Sequence, residues 1–280
     1  MNILFSILLP TYKCRYLKEC IDSILGQTYP NWELIIVNDA SPEDIDSVVQ
    51  SYVDERIHYY KNAHNFGAVR LVEQWNHCLS YAQGKYVICM GDDDRLMPDC
   101  LNIYAQLISR YPKVEILHGQ TDLIDENGEL IAHTAPRPEV ESAMSLLYHR
   151  TKNVYRHQYI GDFCYKTAPL KARGGYHDLP LAWGSDDISA IEAAAAHGIA
   201  NTQEAVFQYR INRFTISNSK NVCTKLQAIL NEAQWKRHFL QVPQSNPQDE
   251  QYRLQLRKEL WAFSLKKCYN VVMKAYYTRP

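Results

Sequence analysis

Short apolar runs alternate with amphipathic segments along the first hundred residues of the chain. Four runs have the length and the bounding polar turns of buried strands: residues 3–9, 33–37, 57–60 and 86–90. Apolar residues at helical spacing predict three helices between these runs: residues 17–25, 43–52 and about 69–82. This alternation predicts a parallel sheet with right-handed crossover connections.

The pattern changes after residue 98, where strands and helices no longer alternate. Strands are predicted at residues 114–117, 161–165 and 205–210, with a hairpin over residues 121–133. Helices are expected at five places: residues 98–110, 142–150, 188–196, 222–239 and 252–277, the last two separated by a linker at 243–247. We therefore expect a regular α/β first half, a less regular second half and a helical C-terminal extension.

Composition limits the classes of protein to which the chain can belong. The chain has 280 residues, 46% hydrophobic and 22% charged, with a net charge of -1 that gives no indication of nucleic-acid binding. Its eight cysteines include no CxxC pair, which favours reduced thiols in a cytoplasmic protein. The apolar start lacks the features of a signal peptide, and no run approaches the roughly 18 apolar residues of a membrane span.

Three consecutive carboxylates, Asp92, Asp93 and Asp94, directly follow the fourth apolar run. Ligands of open α/β sheets bind beyond the carboxyl ends of the strands. Adjacent acids repel one another, and either water or a hard divalent cation can compensate that repulsion. These residues alone support a solvated turn that caps the helix after Pro98 and a divalent-cation site equally.

Polar turns also follow the first two predicted strands. Thr11 and Tyr12 come after the first strand, and Asp39 comes after the second. Each of these residues alone is an ordinary turn or cap residue. Because the carboxyl ends of parallel strands meet at one edge of a sheet, we expect them to share a rim with the three acids.

Two charged segments of the second half each have a functional and a structural interpretation. Asp186 and Asp187 open a predicted helix, where acids complement the helix dipole, but beside Trp183 they could also supply a catalytic base. Arg210 and Arg213, with hydroxyl residues at 215 and 217, form either a phosphate-binding segment or a solvated loop.

The last helical segment is basic as well as apolar. It contains seven Lys and Arg residues between positions 253 and 279. Such a segment can dock on an anionic membrane surface, pack on its own domain or form a homodimer contact. The sequence leaves these three interpretations open.

In the order of these segments the chain resembles the family 2 glycosyltransferases of the GT-A fold. The resemblance rests on residues 9–12, 23–29, 36–41, 75–76, 84–98, 174–176, 186–187 and 209–210. It implies a Rossmann-like, mostly parallel sheet with flanking helices over residues 1–218. Within that range it implies a nucleotide-binding half at 1–98 and an acceptor-side half at 99–218, followed by a helical extension at 219–280.

The resemblance also implies a donor site for a nucleotide-sugar, with a UDP-sugar favoured. The donor-contacting residues that it implies are Pro10, Thr11, Tyr12, Asp39, Arg70, Asp92, Asp186 and Arg210. The acidic motif of the family implies Mn²⁺ or Mg²⁺ held mainly by Asp93. Asp92 or Asp94 would share that role, because Gly91 stands where the family often has an aspartate.

Asp187 is the general base that the resemblance implies, and inversion at the anomeric carbon is the outcome. The acceptor hydroxyl could belong to a growing polysaccharide or other glycan, to a lipid-linked oligosaccharide or to a protein. A subunit that binds nucleotide-sugar without catalysis is a second hypothesis. A Rossmann-type oxidoreductase is a third and is disfavoured, because the first turn lacks GxGxxG.

Overall fold

The computed structural model describes residues 2–152, 156–212 and 221–277. The strands of these residues are β1 Phe5–Thr11, β2 Trp32–Asn38, β3 Ile57–Lys61, β4 Tyr86–Cys89, β5 Arg95–Leu96, β6 Ile116–Ile124, β7 Leu130–His133, β8 Val140–Glu141, β9 Phe163–Lys166 and β10 Ile199–Arg210. The helices are α1 Leu17–Leu25, α2 Ile45–Gln50, α3 Leu71–Tyr81, α4 Cys100–Arg110, α5 Ala143–Lys152, α6 Thr167–Ala172, α7 Ser185–Ala194, α8 Val222–Phe239 and α9 Pro247–Tyr277.

One sheet runs through the molecule in the order β3-β2-β1-β4-β9-β6-β10-β5. Strands β1 to β4 are parallel to one another, as the alternation predicts. Strand β9 is antiparallel to β4 and β6, so the second half of the sheet is mixed. The chain reverses its direction of travel across the sheet between β1 and β4, and such a reversal opens a crevice at the carboxyl ends of the strands.

Helices cover both faces of the sheet. Along β1, Ile7 and Leu9 face the cluster that contains α1, α2 and α4, whereas Leu8 faces the cluster that contains α3, α5 and α7. Both faces are buried, which is why the first strands are almost continuously apolar in the sequence. The sheet is thereby held rigidly and fixes the turns at its edge.

The element boundaries differ from the sequence predictions in a few places. Strand β1 begins and ends two residues later than predicted, so Pro10 and Thr11 belong to the strand. Helix α6 and the short strand β5 have no counterpart among the predictions. Helix α9 begins at Pro247, inside the predicted linker, because proline is well suited to the first turn of a helix. Within the described residues, no helix is both long and apolar enough to cross a bilayer.

Glu232, a buried residue of α8, pairs with Lys267 of α9 and with Lys236 of its own helix. Its carboxylate accepts hydrogen bonds from Lys267 Nζ at 2.8 and 2.9 Å and pairs with Lys236 Nζ at 2.6 Å. Burial alone would raise the pKa of Glu232, but the two lysines outweigh burial and lower that pKa to about 2. The same burial lowers the pKa of Lys236, which offsets part of the stabilisation.

We expect Glu232→Gln to lower the free energy of unfolding by about 2–3 kcal/mol near pH 7, because Lys236 then stays buried without a carboxylate. The folded pKa lies below the ordinary value of 4.5, so the stabilisation is complete above that pH and is lost as the pH falls toward about 2. Urea unfolding near pH 7 and near pH 3 measures the difference between wild type and variant. A difference that does not shrink at the lower pH contradicts the assignment.

Candidate active site

A cavity of about 560 Å³ lies at the carboxyl ends of β1, β2 and β4. Its lining comes from both halves of the chain: Pro10, Thr11, Tyr12, Lys13, Asp39, Asn65, Gly67, Ala68, Leu71, Gln74, Trp75, Met90, Gly91, Asp92, Asp93, Asp94, Tyr159, Ile160, Ala182, Asp186 and Tyr209. The polar turns that the sequence places after three strands therefore meet in one cavity. Asp186, more than ninety residues further along the chain, lines the same cavity.

Asp92 links two of these turns through hydrogen bonds. Its Oδ2 accepts hydrogen bonds from the backbone N–H groups of Tyr12 at 2.8 Å and Lys13 at 2.9 Å. Burial raises the pKa of Asp92 to about 6, although the two amides oppose that rise. One oxygen of Asp92 is thus committed to holding the turn after β1 against the end of β4.

Asp93 and Asp94 accept hydrogen bonds from β10 and from the segment that follows it. Asp93 Oδ2 accepts a hydrogen bond from Asn212 Nδ2 at 2.6 Å, and Asp94 Oδ1 accepts one from the Arg210 backbone N–H at 3.0 Å. Asp94 is buried, and burial followed by the charge of Asp93 raises its pKa. Asp93 is only partly buried and presents its carboxylate to the cavity.

Arg210 lies beneath this acidic turn and does not line the cavity. Its guanidinium donates to the backbone oxygens of Asp93, Asp125 and Glu126 and pairs with Glu19 at 2.7 Å. The side chain is fully buried, and all three guanidinium nitrogens are engaged. The structure therefore places Arg210 as a support of the acidic turn, whereas the resemblance implies a donor contact. The neighbouring phosphate-site candidates Arg213, Thr215 and Ser217 lie outside the described residues.

Gly91 lies against the carboxylates that follow it. A Cβ at this position would lie 2.9 Å from Asp93 Oδ1 and 3.0 Å from Asp94 Oδ2. An aspartate there, as the family often has, would therefore require the Asp93 and Asp94 side chains to shift.

The donor set of this turn fits a hard divalent cation. Within the described residues, the hydrogen bonds to the acids leave Asp92 Oδ1 and Asp93 Oδ1 without a donor. Those same residues contain no group of three or more His, Cys, Asp or Glu side chains that could hold a metal ion by themselves. Mg²⁺ usually takes only one or two carboxylates and completes its shell with substrate phosphates and water. One or two oxygens of this turn are therefore sufficient.

Asp39 lines the cavity and also holds the loop that covers it. Its carboxylate accepts hydrogen bonds from Asn62 Nδ2 at 2.9 Å and from the backbone N–H groups of Phe66 at 3.0 Å and Gly67 at 3.4 Å. Arg70 follows this loop, but its exposed side chain pairs with Glu73 at 2.5 Å and lies outside the cavity lining. The structure thus brings Asp39 to the site and leaves Arg70 beside it.

Asp186 and Asp187 face different cavities although they are neighbours in α7. Asp187 is buried and accepts hydrogen bonds from Arg150 Nε at 2.9 Å and Gln158 Nε2 at 2.6 Å. It lines a second cavity, of about 260 Å³, between α5, α7, α8 and α9. Burial alone would raise the pKa of Asp187, but the Arg150 guanidinium holds that pKa below its ordinary value. Burial and the adjacent Asp187 charge raise the pKa of Asp186.

A pair of stacked tyrosines forms the wall between the acidic turn and Asp186. The rings of Tyr159 and Tyr209 lie 3.6 Å apart at an angle of 12°. No motif in the sequence marks Tyr159 or Lys13 as a site residue. Ala182, also in the lining, has a positive φ of 52°, a strained conformation for a residue other than glycine.

The side chain of Asn76, in α3, holds the turn at residues 174–176 through two hydrogen bonds to the backbone of Tyr176. Asn76 accepts a hydrogen bond from the Tyr176 N–H at 2.7 Å and donates one to the Tyr176 carbonyl at 3.1 Å. A Cβ at Gly175 would lie 2.1 Å from Asn76 Oδ1, and Gly175 has a φ of +94°. This contact fixes the part of α3 that carries Trp75 in the cavity wall.

We expect Gly175→Ala to lower the free energy of unfolding by about 2–4 kcal/mol, since it adds a clash to an unfavourable φ. Gly174→Ala is the matched control, because Gly174 has a similar φ of +92° and nothing within 4 Å of its Cβ position. The control should lose only about 1–2 kcal/mol of backbone strain. Equal losses in the two variants, measured by urea unfolding, would show that Asn76 does not constrain the turn.

Comparison with known sequences identifies a family. Residues 6–173 match the family model described as Glycosyl transferase family 2. A Bacillus subtilis (strain 168) protein that carries the glycosyltransferase name EpsE is 31% identical over 214 residues, which are 73% of this chain and 72% of that protein. An uncharacterized glycosyltransferase of Rickettsia bellii is 31% identical over 137 residues. The match spans 48% of this chain and about a fifth (19%) of that relative's length.

Comparison with solved structures supports the fold. Residues 1–349 of Staphylococcus aureus TarS, in complex with UDP-GlcNAc, superpose with a TM-score of 0.70 at 17% identity, covering 94% of this chain and 73% of that one. The mannosyltransferase PcManGT of Pyrobaculum calidifontis, in complex with GDP-Man and Mn²⁺, superposes with a TM-score of 0.59 at 16% identity. That match covers 100% of this chain and 77% of the other. The mixed sheet with flanking helices is the GT-A architecture.

Proposed function

The chain belongs to the family 2 glycosyltransferases, and from that membership we propose an inverting, metal-dependent transfer of a sugar from a nucleotide-sugar to a hydroxyl acceptor. The observation that carries the proposal is the composition of the large cavity. Three acids at the end of β4 line it together with Asp186 from the second half of the chain. Family membership and the absence of GxGxxG together disfavour an oxidoreductase.

We assign the nucleotide and its diphosphate to the rim formed by the first two turns and the acidic turn. Pro10, Thr11, Tyr12 and Asp39 would contact the nucleotide, since they line the cavity at the ends of β1 and β2. Asp93, with Asp92 or Asp94, would hold Mn²⁺ or Mg²⁺. When bound, the cation neutralises the charge that develops on the departing diphosphate.

Asp186 rather than Asp187 is proposed as the general base. A base must reach the acceptor hydroxyl, and Asp186 lines the donor cavity whereas Asp187 is engaged by Arg150 and Gln158 elsewhere. Burial raises the pKa of Asp186, which increases the affinity of its carboxylate for a proton. Asp187 then acts as a positioning residue that fixes the first turn of α7.

The reaction that follows is a single displacement. The acceptor oxygen attacks the anomeric carbon, its proton passes to the Asp186 carboxylate, and the bond from that carbon to the diphosphate oxygen breaks. The nucleoside diphosphate leaves with the electron pair of that bond. One attack from the face opposite the leaving group inverts the configuration of the anomeric carbon.

A UDP-sugar is the favoured donor, in line with the UDP-GlcNAc complex of TarS. The acceptor is proposed to be a glycan or a lipid-linked oligosaccharide of the cell surface. A relative from Escherichia coli (strain K12) is named for colanic acid biosynthesis. Residues 1–98 would bind the donor and residues 99–218 the acceptor. Cytoplasmic location stays a prediction from the sequence.

A thermal-shift screen of UDP-, GDP- and dTDP-sugars, with and without Mn²⁺, tests the proposal. Ligands that bind the folded state raise the melting temperature, and the rise grows with the logarithm of the ligand concentration relative to Kd. We expect a UDP-sugar to raise it in the presence of Mn²⁺ and to raise it much less with EDTA. No shift in melting temperature with any nucleotide-sugar would contradict the donor assignment. Equal shifts with and without Mn²⁺ would contradict the metal assignment.

A further inference from the structure

Helix α9 presents a mainly apolar stripe to solvent. The helix has 31 residues and is therefore about 46 Å long. Its inner face buries Arg253, Leu256, Leu260 and Ser264 against the domain. The stripe, on the opposite side, consists of Leu254, Trp261, Leu265, Tyr269, Val272 and Tyr276, all exposed. At 100° per residue these six positions fall within an arc of about 80°.

Basic residues lie within and beside the stripe, and its C-terminal part contains no acidic residues. Lys258 lies within the arc, and Lys266 lies on one flank of it. Residues 260–277 contain no aspartate or glutamate, and of their three lysines Lys267 is engaged by Glu232 of α8. The face is therefore apolar, aromatic and positively charged.

The acids of α9 are already engaged within the protein. Asp249 accepts a hydrogen bond from Ser142 at 2.7 Å, Glu250 pairs with Arg253, and Glu259 pairs with Lys152. An isologous contact between two copies of the stripe would bring the basic faces together without free acids to neutralise them. Charge complementarity thus points to an anionic partner.

We propose that α9 docks this stripe on the surface of an anionic lipid bilayer. An amphipathic helix with Trp and Tyr among its apolar residues and lysines beside them lies in the plane of the interface. Its rings sit at the level of the headgroups, and its lysines meet anionic lipid. This inference uses only α9 and is independent of the donor, metal and base assignments above.

Sedimentation of the full chain with lipid vesicles tests the inference. We expect binding to vesicles of phosphatidylcholine with phosphatidylglycerol, weaker binding to phosphatidylcholine alone, and release by salt. Replacing Lys258 and Lys266 by glutamine should weaken binding about fivefold for each lysine. Failure of the wild-type chain to sediment with the anionic vesicles overturns the proposal.

A second variant separates the stripe from general surface hydrophobicity. Trp261→Ser, Leu265→Gln and Tyr269→Gln combined should weaken vesicle binding at least tenfold without changing the melting temperature, because all three side chains are exposed. Leu130→Gln in β7 is the matched control, since Leu130 is 54% exposed and Leu265 is 67% exposed. Wild-type dimers that become monomers in the triple variant, with vesicle binding unchanged, would assign the stripe to a protein contact and overturn the lipid assignment.

Discussion

Asp186→Asn is expected to lower the rate of sugar transfer by about 10²–10⁴-fold while leaving the donor bound. The amide keeps the size of the carboxylate but cannot accept the acceptor proton, and general base catalysis is worth about that factor. Turnover of a UDP-sugar with Mn²⁺, measured as released UDP, gives the rate. Calorimetry with UDP and Mn²⁺ gives donor affinity, which should change by less than about threefold.

Asp187→Asn is the matched control for that experiment, because it makes the same substitution at the adjacent residue. It leaves Arg150 without its carboxylate, so it should reduce stability by about 2–4 kcal/mol and reduce the rate less than Asp186→Asn does. If Asp187→Asn is stable and lowers the rate more than Asp186→Asn does, the general base is Asp187. A wild-type chain that binds donor but never turns over would indicate a binding subunit.

Asp93→Ala is expected to remove the dependence of donor binding on Mn²⁺. Among the described residues Asp93, like Asp92, lines the cavity with one carboxylate oxygen that accepts no hydrogen bond, while Asn212 holds the other oxygen of Asp93. Losing a metal ligand should weaken UDP binding in Mn²⁺ by about 100-fold or more, toward the weak affinity that we expect of the wild type in EDTA. Calorimetry in Mn²⁺ and in EDTA measures both values.

Asp92→Asn provides the contrast, because the Oδ of asparagine still accepts the Tyr12 and Lys13 amides. This variant should retain the turn and lose less than about tenfold in affinity. Unchanged UDP affinity in Asp93→Ala with Mn²⁺ would remove Asp93 from the metal site. A larger loss in Asp92→Asn than in Asp93→Ala would transfer the main metal role to Asp92.

The first half of the fold is predictable because local patterns determine it. Strands β1 to β4 are parallel, and β1, β2 and β4 are almost entirely buried, so their apolar runs are visible without tertiary information. The second half depends on long-range pairing. Strand β5 has only two residues and exists through its pairing with Phe207 and Gln208, more than a hundred residues away. No local pattern of two residues predicts a strand.

The rim of the candidate site can also be predicted from the sequence, because local patterns determine the strands that form it. The orientation of its side chains cannot be predicted in this way. Three turns after parallel strands must meet at one edge, and Thr11, Asp39 and Asp92 do so. Asp186 and Asp187 are adjacent acids of one helix turn. Only the packing of Arg150 and Gln158 against α7 determines which of the two faces the cavity.

A crystal structure with UDP and Mn²⁺, with the ion located by its anomalous scattering, tests the central claim most directly. We expect one manganese peak within coordination distance of an Asp93 carboxylate oxygen and of the UDP diphosphate, with the nucleotide against the turns after β1 and β2. A diphosphate bound elsewhere, or a manganese ion that contacts none of the acids at the end of β4, would contradict the account.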